Sequence, residues 1–286
     1  MLIKLPVDAS KTRVRPSPGV GLAVFVGYMV AVVALIKVFA GDINYQDFAK
    51  TADNFRSAVL IPIGIVSVLL AVVTTWLGWW RPVLFEERTT PKWMLVIPIV
   101  AVLGPLVTIA TSDHLGEFST THLLYLIIGF AFVGFSEELM TRGILLVGFR
   151  SEWKELLVYI AVTLCFGMMH GLNIFFGQDL TTTVTQMVGT LAMASVLYAA
   201  RRTSGTLLAA MLVHALFDLS LMLSGGVAAD TNDLSREGPV GISLAISISA
   251  IAFLIGIRHM FGSRSRAADV PAESAASEPT RIEEGR

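Results

Sequence analysis

Long, uninterrupted runs of apolar residues dominate this chain and restrict it to very few folds. Eight blocks are each close to the roughly 20 residues that a helix needs to cross a hydrocarbon core about 30 Å thick. These blocks cover residues 19–40, 58–80, 94–111, 122–149, 156–176, 181–200, 205–224 and 241–261. Only α-helices and closed barrels satisfy the backbone in lipid, and continuous apolar blocks lack the alternation of barrel strands. The sequence therefore predicts an all-α, polytopic membrane bundle of about eight transmembrane helices.

The distribution of basic residues predicts the orientation of this bundle. With the N-terminus inside, 17 of the 21 Lys and Arg residues fall on inner segments or at inner helix ends, and three on outer segments. All five Trp residues lie near the same inner interface, as in an aromatic belt. We therefore expect a multi-pass protein of the cell membrane with both termini in the cytoplasm.

The remaining features divide the chain and exclude several functional classes. We expect a cytoplasmic segment (1–18), three helices (19–112), a core of four helices (113–225), an outer loop with the last helix (226–261) and a disordered cytoplasmic tail (262–286). A single cysteine excludes an intrachain disulfide and a cysteine-based metal cluster. There is no Gly-rich phosphate loop, and we expect the partners to be the lipid bilayer and a peptide substrate, not nucleic acid.

Ionisable residues inside the apolar blocks are the candidates for function, because charge in a bilayer is costly and is rarely retained without a role. Apart from Lys37, Arg258 and His259, which lie near the ends of the first and last blocks, they fall on three of the eight blocks. The fourth block carries Glu137, Glu138 and Arg142, the fifth carries His170, and the seventh carries His214 and Asp218.

Helical spacing groups these side chains into one predicted chamber. Residues four apart share a helix face, so Glu138 and Arg142 form a predicted structural ion pair. Glu137 points about 100° away and has no partner on its own helix. His214 shares a face with Asp218. His170 shares a face with Phe166, and Asn173 follows one turn later. Three helices can thus bring their polar groups together near the middle of the membrane.

The three motifs, EExxxR, FxxxH and HxxxD, in this order within apolar blocks, resemble the CPBP family of intramembrane proteases. That family includes the eukaryotic type II CAAX prenyl endopeptidases, and the resemblance covers about residues 121–224. It implies an intramembrane endopeptidase without a cofactor, in which Glu137 and His170 activate the attacking water and His214 and Asp218 stabilise the oxyanion. Glu138, Arg142, Phe166 and Asn173 are supporting residues in this interpretation.

Asp218 departs from the prenyl proteases, which have Asn at the matching position. An ionised Asp cannot donate a hydrogen bond to an oxyanion. Asp218 must therefore be protonated, or it must act by orienting and charging His214. The resemblance leaves the substrate open, since prenylated peptides are the substrates of the eukaryotic members and nothing in this sequence indicates a prenyl-binding groove.

Three alternatives use the same residues. Glu137, His170 and His214 are a chemically suitable set of ligands for catalytic zinc, with Asp218 as a fourth ligand. A transporter or proton-coupled channel would use Glu137, His170 and Asp218 as a proton relay. A membrane partner that has kept the fold and lost the activity is the third alternative.

Overall fold

The computed structural model describes residues 12–86, 90–225 and 240–261, and within these ranges the chain is almost entirely helical. The helices are α1 Pro18–Ala40, α2 Ala52–Leu77, α3 Trp80–Leu84, α4 Lys92–Ala110, α5 Thr120–Arg150, α6 Glu155–Phe176, α7 Leu180–Ser204, α8 Leu207–Gly225, α9 Val240–Ile255 and α10 Ile257–Phe261. Phe85 and Thr206 form an isolated β-bridge, and no strand occurs in the described part of the chain. Seven helices (α1, α2 and α4–α8) are long and apolar enough to cross a membrane. The predicted all-α polytopic fold is confirmed.

The eighth predicted span consists of two shorter helices. α9 has 16 residues and falls short of a full span by itself. It begins beside α4, where the carbonyl oxygen of Gly104 lies 2.8 Å from the position that a Cβ on Gly241 would occupy. It ends before Gly256, where a Cβ would lie 2.2 Å from Cε of Met94, and α10 begins at Ile257. Together α9 and α10 run along the whole bundle.

Short polar residues define several helix starts, and glycines define several ends. The side chain of Ser17 accepts a hydrogen bond from the Val20 N–H at the start of α1, and that of Asp179 accepts one from the Thr182 N–H at the start of α7. Gly205 ends α7 with φ +83°, a left-handed conformation that favours glycine. Its carbonyl then accepts a hydrogen bond from the Glu86 N–H at 2.9 Å.

The bundle has two distinct ends. At one end, which we name the arginine end, Arg150 pairs with Glu86 at 2.8 Å and Arg202 donates to the Met260 carbonyl at 2.9 Å. At the opposite end, which we name the glutamine end, Gln186 donates to the Tyr45 hydroxyl at 3.2 Å. The connections 41–51, 111–119 and 177–179 lie at the glutamine end, whereas the segment 78–86 and the connections 151–154 and 205–206 lie at the arginine end. Successive long helices therefore run in opposite directions.

α8 packs against α4, α5 and α7, while α1 and α2 cover the other side of α5. Large apolar side chains such as Val72, Leu103 and Val188 are exposed on the outside, as expected for a surface that faces lipid. By contrast, every residue from Glu138 to Arg150 of α5 is buried. The helix that carries the first motif thus forms the core.

α5 is not a regular helix. An α-helix runs to Glu138, a π-helical segment covers Leu139–Leu145, and a last α-helical turn covers Leu146–Arg150. π-Helical turns are rare in proteins, but those that do occur are often located at functional sites. This one follows directly after Glu137 and Glu138.

Candidate active site

Three helices place the motif residues around one imidazole ring, that of His214 on α8. Its Nδ1 lies 3.0 Å from Oε1 of Glu138. Its Nε2 lies 3.4 Å from Oδ2 of Asp218 and 3.9 Å from Oε2 of Glu137. The structure thus brings Glu137, Glu138, His214 and Asp218 together, with a carboxylate near each nitrogen of the ring.

Glu138 is the most buried acid in this cluster and has two partners. Its Oε1 accepts hydrogen bonds from Nη1 of Arg142 at 2.9 Å and from Nδ1 of His214 at 3.0 Å, and the side chains of Glu138 and Arg142 are both completely buried. Spacing alone predicted only the ion pair with Arg142. The additional bond gives Glu138 a second effect. Because an ionised carboxylate can only accept a hydrogen bond, the proton of this bond must be on Nδ1 of His214.

Glu137 and Asp218 are the most exposed residues of the cluster. Their side chains are 20% and 25% exposed, against 5% for that of His214. Oε2 of Glu137 makes no hydrogen bond within the described part of the chain. A carboxylate oxygen that faces an imidazole and has no other partner is available to accept a proton.

His170 joins the cluster through Phe166. Its Nδ1 lies 3.0 Å from the Phe166 carbonyl oxygen, which only accepts, so we assign the proton to Nδ1 and the free lone pair to Nε2. The Phe166 ring contacts both histidine rings edge-on, at centroid distances of 5.1 Å and 5.6 Å, and the Arg142 guanidinium lies 4.0 Å from its centroid. No direct hydrogen bond joins His170 to Glu137 among the described residues.

Asn173 belongs to a polar network that the sequence analysis did not identify. Its Nδ2 donates to Oε1 of Gln186 at 2.9 Å, and Nε2 of Gln178 donates to the same oxygen at 3.0 Å. Gln186 in turn donates to the Tyr45 hydroxyl. The polar Gln186 within an apolar block was the available signal. The side chain of Asn173 therefore connects α6 to α7 at the glutamine end.

A second cluster of buried charge lies at the arginine end, and it corrects one expectation. The sequence analysis predicted charged residues within the membrane on three helices only, and it placed Arg201 and Arg202 in a connecting segment. α7 extends to Ser204, however, and buries both of them. The cluster contains Glu86, Arg150, Glu155, Arg201 and Arg202, and each residue is no more than 7% exposed.

For a metal, the described residues include no group of three His, Cys, Asp or Glu side chains that are placed to hold an ion. Nδ1 of His214 is already bonded to Glu138. The ligand set of the zinc alternative, Glu137, His170 and His214, is thus not assembled as a ligand shell in this arrangement.

Residues 119–220 match the family model described as type II CAAX prenyl endopeptidase Rce1-like. The matched segment contains all three motifs, and with them Glu137, Glu138, His214 and Asp218. No curated protein matches the chain. The family predicted from the motifs is confirmed by this match, which supports a CAAX-type membrane protease and therefore hydrolase activity in general.

Proposed function

We propose that this chain, which carries a CAAX endopeptidase-like core, is an intramembrane endopeptidase that hydrolyses a peptide bond of a membrane-associated substrate with water activated by Glu137 and His170. The observation that carries the proposal is the position of Glu137. Its Oε2 has no hydrogen-bond partner among the described residues and lies 3.9 Å from the imidazole of His214. That imidazole is held on its far side by Glu138.

Glu137 is the general base in this proposal. Its carboxylate accepts one proton from water while the water oxygen attacks the carbonyl carbon of the scissile bond. His170 accepts a hydrogen bond from the same water at Nε2, since its Nδ1–H is directed to the Phe166 carbonyl. Proton transfer by a positioned side chain contributes roughly 10²- to 10⁴-fold to a rate.

His214 and Asp218 act on the oxyanion. In its doubly protonated form, His214 donates from Nδ1 to Glu138 and can donate from Nε2 to the negative oxygen of the tetrahedral intermediate. A positioned donor of this kind is worth about 10²- to 10³-fold in kcat. The intermediate collapses when Glu137 returns its proton to the leaving nitrogen and the C–N bond breaks, which releases an amine and a carboxylate.

The experiment that tests the proposal is cleavage of a peptide panel by purified protein in detergent, with and without a chelator. Cleavage that is insensitive to the chelator supports the Glu/His mechanism. Cleavage that the chelator abolishes and zinc restores supports the metal-dependent alternative. Absence of cleavage, combined with solute or proton flux in liposomes, contradicts the proposal and supports transport.

Asp218→Asn is expected to keep most of the activity. Glu138 already accepts a hydrogen bond from Nδ1 of His214, so the charge of Asp218 is not needed to orient the ring, and Asp218 acts as a protonated hydrogen-bond donor. An amide at this position, 3.4 Å from Nε2 of His214, can still donate a hydrogen bond. We expect kcat/KM within about tenfold of wild type, because one neutral hydrogen bond is worth about 1 kcal/mol. A loss as large as that of Glu137→Gln would contradict this role and show that the charge is required.

We also propose that the arginine end faces the cytoplasm, because the basic residues and all five tryptophans are predicted on that side. In a Cys165→Ala background, a cysteine at Asp113 should be labelled from outside intact cells by an impermeant reagent. A cysteine at Glu152 should be labelled only after permeabilisation. The opposite pattern would invert the topology.

A further inference from the structure

The π-helical segment of α5 leaves one backbone carbonyl without its usual helical donor. In a regular α-helix, the Leu146 N–H would donate to the carbonyl of Arg142, four residues earlier. Here it donates to the carbonyls of Thr141 and Gly143 instead. The Arg142 carbonyl lies one turn after Glu137 and Glu138, within the π-helical segment Leu139–Leu145, which we name the wide turn of α5. A buried carbonyl needs another donor, because leaving it unpaired is costly.

Arg201 of α7 supplies that donor. Its guanidinium is fully buried, and Nη1 donates to the Arg142 carbonyl. The same Nη1 donates to the Val83 carbonyl at 2.7 Å, and Nη2 donates to the Pro82 carbonyl at 2.8 Å. A single side chain thus joins α7, α3 and the wide turn of α5. The planar, rigid fork of a guanidinium suits this task, and the single ammonium of a lysine does not.

The charge of Arg201 is compensated close by. Its Nε lies 3.9 Å from Oε2 of Glu86, which also pairs with Arg150. Burial alone would raise the pKa of Glu86, but the guanidinium groups of Arg150, Arg202 and Arg201 hold that pKa below its usual value. Glu86 therefore stays ionised as a counter-charge.

Arg202 offers a matched comparison one residue away. It is equally buried and belongs to the same charged cluster. Its guanidinium, however, donates to the carbonyls of His259 and Met260 on α10. Loss of Arg202 should affect the attachment of α10, whereas loss of Arg201 should affect the helix that carries the acids of the active site.

We infer that Arg201 is a positioning residue, which holds the wide turn of α5 and so fixes the placement of Glu137 and Glu138 relative to His214. This inference rests on the proposed function for its kinetic consequence. Its structural consequence, the hydrogen bond from His214 to Glu138, can be measured independently of activity.

The test compares Arg201→Lys with Arg202→Lys by two readouts in purified full-length protein. The first is peptide cleavage, for which we expect Arg201→Lys to lower kcat about 100-fold at unchanged KM, as a displacement of about 1 Å in a catalytic group does. The second is the ¹⁵N NMR signal of His214 Nδ1 in protein labelled at histidine and assigned with His214→Gln. We expect it to move in Arg201→Lys and to keep its position in Arg202→Lys.

Arg201→Gln provides a second variant in case Arg201→Lys does not accumulate. It leaves two arginines (Arg150 and Arg202) and two glutamates (Glu86 and Glu155) in the cluster, so that no additional charge is left uncompensated. The inference is overturned if the Arg201 variant keeps the wild-type His214 signal, or if Arg202→Lys shifts it equally. In an active protein, a shifted signal with unchanged kcat also overturns it. If the wild-type protein cleaves no peptide, the proposed function fails, and the NMR comparison still decides the role of Arg201.

Discussion

The Glu137→Gln protein is expected to be folded and almost inactive. Glutamine keeps the size of the side chain and can still form hydrogen bonds, but it cannot accept the proton of the attacking water. Because Oε2 of Glu137 makes no hydrogen bond in the described part of the chain, this substitution breaks no hydrogen bond of that oxygen, and it removes a negative charge 3.9 Å from Nε2 of His214. We expect kcat to fall by about 10³-fold or more, at the upper end of the effect of a general base. Peptide cleavage under saturating substrate measures this change.

The matched control is Glu152→Gln, which makes the same chemical change at an exposed position in the connection between α5 and α6. It should leave kcat unchanged. The double variant Glu137→Gln/His170→Gln should be little worse than the single one, because groups that act as a unit are not additive. A Glu137→Gln protein that retained wild-type kcat would refute the assignment of Glu137 as the base.

Glu138→Gln is expected to cause the largest loss of stability. It leaves the completely buried guanidinium of Arg142 without its counter-charge and weakens the bond that orients His214. Removing one partner of a buried ion pair typically costs about 3–5 kcal/mol of the free energy of unfolding. Thermal unfolding in detergent should therefore show a marked decrease in Tm, and Arg142→Ala should behave similarly. Glu152→Gln again serves as the neutral control, with a change of no more than about 0.5 kcal/mol.

The double variant Glu138→Gln/Arg142→Met separates charge from packing. If the unpaired charge causes the instability, removing both charges should recover part of the loss. If the double variant is as unstable as the sum of the two single variants, packing is the cause. A Glu138→Gln protein that is fully stable but inactive would make Glu138 a catalytic group instead of a structural one.

The membrane helices could be predicted from the sequence because a bilayer imposes a length and a polarity that are read directly along the chain. All seven long helices overlap predicted blocks, and only their limits differ. α2 starts at Ala52, before the predicted start at residue 58, because polar Asp53 and Arg56 are tolerated at the end of a span. The close approach of Gly256 to Met94 could not be predicted, since it is a contact between two helices that are distant in the sequence.

The residues that lie close to His214 could be predicted, but the contacts between them could not. Glu137, His214 and Asp218 can each be identified from the sequence, because an ionisable side chain within a membrane span is energetically unfavourable. Helical spacing pairs Glu138 with Arg142, and it gives no information on contacts between helices, so the bond from Glu138 to His214 was missed. The buried cluster at the arginine end was missed for the opposite reason. Arg201 lies at a predicted helix end, where a basic residue needs no special explanation.

The wide turn of α5 also affects how related sequences should be aligned. A hydrogen bond that spans five residues instead of four encloses one additional residue, so the segment Leu139–Leu145 is equivalent to a one-residue insertion in a regular helix. A related protein with one residue fewer in this segment would keep the apolar character of the span. Its EE pair would nevertheless be rotated by about 100° relative to the buried half of the helix. A one-residue gap between the EE pair and Arg150 would therefore indicate a protein that has kept the fold and lost this arrangement of the acids around His214.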